Sequence, residues 1–282
     1  MPQNNTELRL AVLIDGDNAK AEDVQATMAE IAVYGKPTIK RVYGDLTDTT
    51  LKGWKPSLLE NGIAPVQQYA YTKHKNATDI TMVIDAMDIL YGGNVEGFAL
   101  VTSDSDFTRL AQRLRESGMK VIGIGNKNTP EAFRVSCEKF IYIETIRKSA
   151  GEEAAEDKAA AKPAAKTRAR TAAAKTKAAA KSDAPPAEPP KDSAAQPKEV
   201  PGHIVELLVK SLKDIADEGG YALLSSVNDL TVKKRPDFDH RNYGYKNMSS
   251  LIKTIKRFEV DERPNPSHPN AKVIYIRDKK AK

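Results

Sequence analysis

The stretch Leu10-Ala11-Val12-Leu13-Ile14-Asp15-Gly16-Asp17-Asn18 begins with five apolar residues and ends with a polar cluster. The aliphatic run predicts a buried strand, and Gly16 permits a tight turn from that strand into a helix. A carboxylate directly after five apolar residues is costly to bury without a partner, so Asp15 is a candidate metal ligand. Asn18 is a supporting candidate that could orient water or a phosphate oxygen. For Asp17 we expect a simpler role as a cap of the following helix.

A second apolar run ends in the same way, because Phe98-Ala99-Leu100-Val101 is followed by Thr102-Ser103-Asp104-Ser105-Asp106-Phe107. If the chain stays extended, alternation directs Asp104 and Asp106 into one crevice. If a helix begins at once, Asp104 would contact a metal directly and Asp106 through water. Taken alone, the motif is equally consistent with ordinary helix capping and an acidic first turn.

A third acidic position lies at the start of a helix rather than at the end of a strand. Asp79 opens an amphipathic segment, after a basic loop that contains Lys73 and Lys75. Asp85 lies six residues further on, about 240° around a helix, and is therefore only a supporting candidate. The two lysines could grip a backbone phosphate, although an ordinary solvated loop is the stronger interpretation.

Strand-like and helix-like segments alternate through the first half of the chain. This repeated order predicts an α/β fold with a mostly parallel sheet flanked by helices on both faces. The predicted strands cover residues 8–14, 38–43, 64–69, 97–102, 120–124 and 140–143, and the predicted helices cover 21–34, 50–60, 79–91, 104–117 and a short segment after Pro130.

These acids therefore converge at one edge of the predicted sheet. In open α/β sheets, ligands bind in the crevice outside the carboxyl ends of the strands. Clustered carboxylates repel one another there unless a hard divalent cation such as Mg²⁺ shares them. Metal-assisted phosphodiester cleavage is the obvious use of such a site.

Composition divides the 282 residues into three regions, predicted as a catalytic domain at 1–149, a disordered Ala/Lys/Pro-rich linker at 150–199 and a second domain at 200–282. Lys and Arg number 18 against 19 Asp and Glu in the first region, 10 against 8 in the second, and 16 against 11 in the third. The positive excess lies downstream of the acidic site, which suits a catalytic head with a polyanion-binding tail.

Several protein classes are disfavoured by the same composition. The single cysteine, Cys137, excludes an internal disulfide and a cysteine-rich zinc site, and it fits a reducing compartment. The N-terminus lacks the features of a signal peptide, and no apolar run approaches the roughly 20 residues of a membrane helix. We therefore expect a cytoplasmic protein without a membrane partner.

The third region predicts a small winged helix. Helices at 204–216, from 225, and at 247–258 precede two short strands at 258–261 and 273–276. Basic and aromatic side chains around the third helix suit RNA bases and backbone. Candidate RNA-binding residues are Arg241, Tyr243, Lys246, Lys253, Lys256 and Arg257, whereas Tyr245 is expected to pack in the core.

The three acidic motifs occur in an order that resembles the NYN domains of the PIN-like nuclease superfamily, with bacterial LabA-like proteins as the nearest subgroup. The resemblance covers residues 8–145 and implies a Mg²⁺- or Mn²⁺-dependent ribonuclease. It implies metal binding and catalysis by Asp15, Asp79, Asp104 and Asp106, with Asn18 and Ser103 in supporting positions. The chain departs from the family where Ala77-Thr78 precede Asp79, since relatives often have Gly before that Asp.

Residues 201–278 resemble the LOTUS or OST-HTH domain, mainly through Arg241-x-Tyr243-Gly244-Tyr245 and Met248-Ser249-Ser250-Leu251-Ile252. This resemblance implies RNA as a partner, and in some relatives a protein partner. The first hypothesis is a metal-dependent endoribonuclease tethered to RNA by its tail. The alternatives are a catalytically weak RNA-binding adaptor and a DNA-processing enzyme. Ion identity and count, the RNA target and the oligomeric state stay open at this stage.

Overall fold

The computed structural model describes residues 7–45, 53–68, 77–160, 200–265 and 268–280. Six strands form one sheet: β1 (Arg9–Asp15), β2 (Lys36–Gly44), β3 (Ala64–Gln67), β4 (Gly97–Val101), β5 (Lys120–Gly125) and β6 (Lys139–Tyr142). Their order is β3-β2-β1-β4-β5-β6, and every neighbouring pair is parallel. The predicted α/β fold is confirmed, and all six strands are those expected from the apolar runs.

Helices cover both faces of this sheet. They are α1 (Val24–Ala32), α2 (Trp54–Asn61), α3 (Ala77–Gly92), α4 (Thr108–Glu116), α5 (Glu131–Ser136) and α6 (Ile143–Ala160). Alternate residues of each central strand enter opposite cores, so that Leu13 packs towards α3 and α4 while Ile14 packs towards α1 and α6. Both side chains are almost completely buried, which is why the central strands read as unbroken apolar runs.

Helix α6 extends into the region predicted as a linker. It continues to Ala160, through the start of the Ala-rich composition, and residues 161–199 lie outside the described part of the chain. The sequence 158–181, which holds eight Lys or Arg residues and no acid and could bind nucleic-acid backbone nonspecifically, falls largely in that segment. Lys73 and Lys75, the lysines before Asp79, also lie outside the described residues.

The C-terminal domain combines three helices with a small antiparallel sheet. The helices are α7 (Gly202–Lys213), α8 (Leu224–Lys234) and α9 (Met248–Thr254), and the strands are β7 (Tyr221–Leu223), β8 (Phe258–Asn265) and β9 (His268–Asp278). The hairpin β8–β9 was predicted, whereas β7, which pairs with β9, was not. Tyr245 is 6% exposed and belongs to the core of this domain, as expected.

The C-terminal domain docks against the sheet edge formed by β6. The backbone N–H of Phe140 donates to the carbonyl of Pro236 at 3.0 Å, and Lys139 Nζ donates to the carbonyl of Phe238 at 2.8 Å. Asp237 accepts hydrogen bonds from Arg134 and from the Tyr142 hydroxyl. Part of the otherwise open edge of β6 is therefore covered by the second domain.

Arg241 is the main charged residue in this contact. Its two terminal nitrogens donate to the two carboxylate oxygens of Glu30 at 2.8 and 2.7 Å, and it also binds Asp239. The hydrogen bond to Glu30 raises the pKa of Arg241 further above its usual value. In this arrangement the guanidinium that was predicted to contact RNA instead joins the two domains.

Replacing Arg241 by alanine should loosen the docking of the domains. The substitution leaves the carboxylates of Glu30 and Asp239 without their shared cation, which is costly because Asp239 is 8% exposed. We expect a larger radius of gyration by small-angle X-ray scattering for Arg241→Ala. Lys256→Ala, an exposed substitution in the same domain, is the control and should leave the radius unchanged. Equal radii for the two variants would contradict the role assigned to Arg241.

Candidate metal centre

Three of the predicted acids converge at the carboxyl edge of the sheet. Asp79 lies in the first turn of α3, while Asp104 and Asp106 follow β4. Each offers a carboxylate oxygen, and these oxygens lie within 4.8 Å of one another. We call Asp79, Asp104 and Asp106 the acidic triad. Oxygen ligands at such separations suit a hard divalent cation, so the donor set fits Mg²⁺ or Mn²⁺.

Local backbone structure explains how β4 delivers two of these acids. Asp104 has an extended backbone, and its side chain accepts a hydrogen bond from the backbone N–H of Asp106 at 3.0 Å. It thus caps the helical turn Ser105–Phe107 that leads into α4. Capping and metal binding were posed as alternatives, but one Asp104 oxygen in the cap leaves the other for a cation. The positive end of the helix also favours negative charge here.

Asp15 lies beside the triad and is held by its own network. The backbone N–H of Asp17 donates to Oδ1 at 3.1 Å, while Asn18 Nδ2 and Thr102 Oγ1 donate to Oδ2 at 2.7 and 2.8 Å. The Asp15 side chain is completely buried. Burial raises the pKa of Asp15, and the hydrogen bonds from Asn18 and Thr102 oppose that rise. The structure therefore groups three predicted ligands as a triad and holds the fourth next to them.

The tight turn after β1 needs glycine. A Cβ on Gly16 would lie 2.7 Å from the carbonyl oxygen of Tyr43, which accepts the Gly16 backbone hydrogen bond. Asp85 binds the Tyr43 hydroxyl and the Arg41 guanidinium. Asp85 thus supports β2 and, through Tyr43, the turn that carries Asp15.

Ser103 joins the ends of two strands. Its hydroxyl accepts a hydrogen bond from the backbone N–H of Asn126 at 3.0 Å, and Asn126 follows β5. Thr102, one residue earlier, links Asp15 to Asp104, because its hydroxyl also accepts from the Asp104 backbone N–H at 3.1 Å. Thr102 was missed as a site residue. Thr102 could have been recognised from the sequence, because its hydroxyl stands between a buried strand and the Ser103-Asp104 motif.

Asp17 was expected to cap the helix after β1, and this expectation is wrong. The helical segment begins instead after Lys20, and no side chain caps it. Asp17 is exposed, and its charge is among those that disfavour ionisation of Asp79. The acid therefore adds to the negative field of the site.

Electrostatic repulsion is strongest at Asp79. Burial, followed by the negative charges of Asp15, Asp104, Asp106 and Asp17, raises the pKa of Asp79 to about 6. Among the described residues, neither Asp79 nor Asp104 forms an ion pair. Within the described ranges no protein cation compensates Asp79 or Asp104, and a bound divalent ion would relieve the repulsion among carboxylates this close together.

The acidic site and the sheet around it define a PIN-like, nuclease-type α/β domain. Residues 9–144 match the model of the NYN domain, and residues 195–269 match that of the OST-HTH/LOTUS domain. The chain thus contains an NYN domain that is followed by an OST-HTH/LOTUS domain.

Individual relatives are distant. An uncharacterized protein of Methanocaldococcus jannaschii is 28% identical over 123 residues, which are 42% of this chain and 48% of that protein. This chain thus spans about half the length of that relative. A structure of unknown function from Vibrio parahaemolyticus is 18% identical with a TM-score of 0.43, and the match covers 50% of this chain and 96% of that one. The solution structure of an uncharacterized protein from Nitrosomonas europaea is 30% identical with a TM-score of 0.28, and the match covers 34% of this chain and 90% of that one.

Of the helices in the described residues, none has both the length and the apolar character required to cross a bilayer.

The NYN and OST-HTH/LOTUS domains together support a role in nuclease action and RNA binding.

Removal of the Asp79 charge should stabilise the metal-free protein in a pH-dependent way. Because the folded-state pKa, about 6, exceeds the usual value of 3.8, wild type loses stability as pH rises through that window. In chelator at pH 7.5, Asp79→Asn should be more stable than wild type by on the order of 1 kcal/mol after solvent screening, and should therefore unfold at a higher temperature. At pH 3.5 the difference should vanish.

Thermal unfolding followed by circular dichroism at both pH values measures this difference. Asp88→Asn, on the exposed side of the same helix, is the matched control and should show no such pH dependence. A lower melting temperature for Asp79→Asn at pH 7.5 would show that Asp79 is not electrostatically strained.

Proposed function

We propose that this protein is a metal-dependent endoribonuclease that cleaves RNA phosphodiester bonds. The acidic triad, with Asp15 beside it at the carboxyl edge of an NYN domain, is the observation that supports this proposal. Mg²⁺ or Mn²⁺ would be held by Asp79, Asp104 and Asp106, with Asp15 as the adjacent fourth acid. When bound, such an ion would polarise a phosphoryl oxygen and lower the pKa of a water.

The protein's own residues would orient the reacting groups. Asn18 and Thr102 fix the Asp15 carboxylate from two directions, so its orientation does not depend on solvent. The hydrogen bond from the Asp106 backbone fixes one oxygen of Asp104. Because these partners are set by the fold, the acids need little rearrangement before the reaction.

The C-terminal domain would supply RNA affinity. Arg241 is engaged with Glu30, Tyr243 packs against Phe238 with ring centroids 6.3 Å apart, and Arg257 forms a bidentate pair with Asp278. Lys256 is exposed just after α9, and Lys253, within the helix, is exposed although its Nζ donates to Glu262 at 3.0 Å. Because both side chains reach solvent, they remain the better placed of the predicted residues for phosphate contacts. Lys246 is also exposed and precedes the same helix. We propose that RNA contacts this end of the domain.

Asp104→Asn should abolish RNA cleavage in Mg²⁺ or Mn²⁺ while RNA binding stays near wild type. The change removes one negative charge from the triad but preserves the shape of the side chain. Cleavage of a structured RNA on denaturing gels and binding by filter retention provide the two readouts. Chelator should stop wild-type cleavage, and Asp88→Asn should cleave normally.

Two outcomes would redirect this assignment. Cleavage by Asp104→Asn at the wild-type rate would refute the metal-centre proposal. No cleavage by wild type in either ion, together with intact RNA binding, would favour the RNA-binding adaptor. Matched RNA and DNA substrates in the same assay distinguish a ribonuclease from a deoxyribonuclease.

Removal of Lys253 and Lys256 together should weaken RNA binding without preventing cleavage at saturating RNA. Loss of two phosphate contacts should lower the slope of log affinity against log salt by about 1.4 for single-stranded RNA. Titrations at several salt concentrations with the double alanine variant measure this slope. Lys210→Ala with Lys213→Ala, on α7, is the control pair. An unchanged slope would place the RNA on another face.

A further inference from the structure

A cavity of about 250 Å³ opens beside the acidic site, at the same edge of the sheet but on the face opposite α3. It lies between α1 and α6, at the carboxyl ends of β1, β4 and β5. Asn18 and Thr102 line it, and both also donate hydrogen bonds to Asp15. These two side chains therefore connect the lining of the cavity with the buried acid.

The cavity combines apolar walls with a polar rim. Ile14, Val24, Val101, Ile124 and Ile143 supply aliphatic surface. Three asparagines and a serine supply polar groups at its mouth: Asn18, Asn126, Asn128 and Ser103. Apolar walls with a few placed polar groups are typical of small-molecule sites. Pockets for drug-sized ligands measure about 300–1,000 Å³, so this cavity suits a smaller group.

The charges around the cavity balance. Lys20 and Arg147 are opposed by Asp23 and Glu144, which line the same space. Arg147 is already paired with Asp23, its Nη2 lying 2.6 Å from Oδ2. A phosphate would gain no uncompensated cation from Arg147, so the lining favours a neutral ligand over an anion.

Two of the asparagines retain hydrogen-bonding capacity. Asn126 Oδ1 accepts from the backbone N–H of Asn128 at 2.8 Å, which leaves its Nδ2 group available. Within the described ranges, neither that group nor the Asn128 side chain has a hydrogen-bond partner. An amide presents a donor beside an acceptor, the arrangement that pairs with the edge of a nucleobase.

We propose that this cavity binds one nucleobase of the RNA, from a nucleotide that flanks the phosphate held at the acidic triad. The position next to the phosphate rests on the proposed function, whereas recognition of a neutral base rests on the cavity alone. The aliphatic walls contact the faces of the base, and Asn126 and Asn128 contact its edge. The cavity thus provides a point at which the cleavage site can be selected by base identity.

Binding can be measured without any cleavage. The full chain in chelator is titrated with the four nucleoside 5′-monophosphates, with ribose 5-phosphate and inorganic phosphate as probes that lack a base, using saturation-transfer NMR. We expect the nucleotides to bind with unequal affinities and the two base-free probes not to bind.

Ala19→Leu, which projects bulk into the cavity, should weaken nucleotide binding by about tenfold or more. Ala29→Leu, at an exposed position of the neighbouring helix outside the cavity, is the matched control and should bind normally. Asn128→Ala, at an exposed loop position, provides a second cavity variant if Ala19→Leu fails to fold, and should also weaken binding.

Binding of ribose 5-phosphate as tightly as the nucleotides would overturn the proposal, and so would unchanged binding by a folded cavity variant. Because no divalent ion is present, either result is independent of whether the protein cleaves RNA. Conversely, if nucleotides bind in this cavity but the Asp104→Asn variant still cleaves RNA, the cavity proposal would stand and the proposed nuclease site would be refuted.

Discussion

Repulsion between carboxylates at one edge of a parallel sheet is the constraint on which the rest of the site depends. Strand β1 ends in Asp15, Asp104 and Asp106 follow the neighbouring strand β4, and α3 brings Asp79 to the same edge. Burial, followed by repulsion from the neighbouring carboxylates, raises the pKa of Asp79 to about 6. Such a site persists because packing of the surrounding strands and helices outweighs a local electrostatic cost.

The parts of the site that resist this repulsion are neutral donors. Asp15 is stabilised by an amide, a hydroxyl and a backbone N–H rather than by a lysine or arginine. Neutral donors stabilise a carboxylate without cancelling its charge, so the negative potential remains available to a cation. By contrast, Asp85, on the same helix as Asp79, is neutralised by Arg41. This difference separates a candidate ligand from a structural acid.

Much of this arrangement was predictable because it depends on local patterns. Apolar runs located β1, β4 and β5, and the acids directly after β1 and β4 followed from them. The ionic partners of Arg241 were not predictable, since Glu30 lies 211 residues away in the sequence. Nor was the role of Asp17, because capping and long-range charge cannot be distinguished from a residue type and its spacing. Contacts between domains and summed electrostatic fields require three-dimensional positions.

Helix α6 contacts both the cavity of the NYN domain and the C-terminal domain. Its first turns place Glu144 and Arg147 against the cavity, while Thr145 between them bonds to Asn242 of the C-terminal domain. Four consecutive residues thus carry contacts from two surfaces. Coupling between two binding equilibria is reciprocal. If a ligand in the cavity strengthens the docking of the domains, docking must therefore strengthen the binding of that ligand by the same free energy.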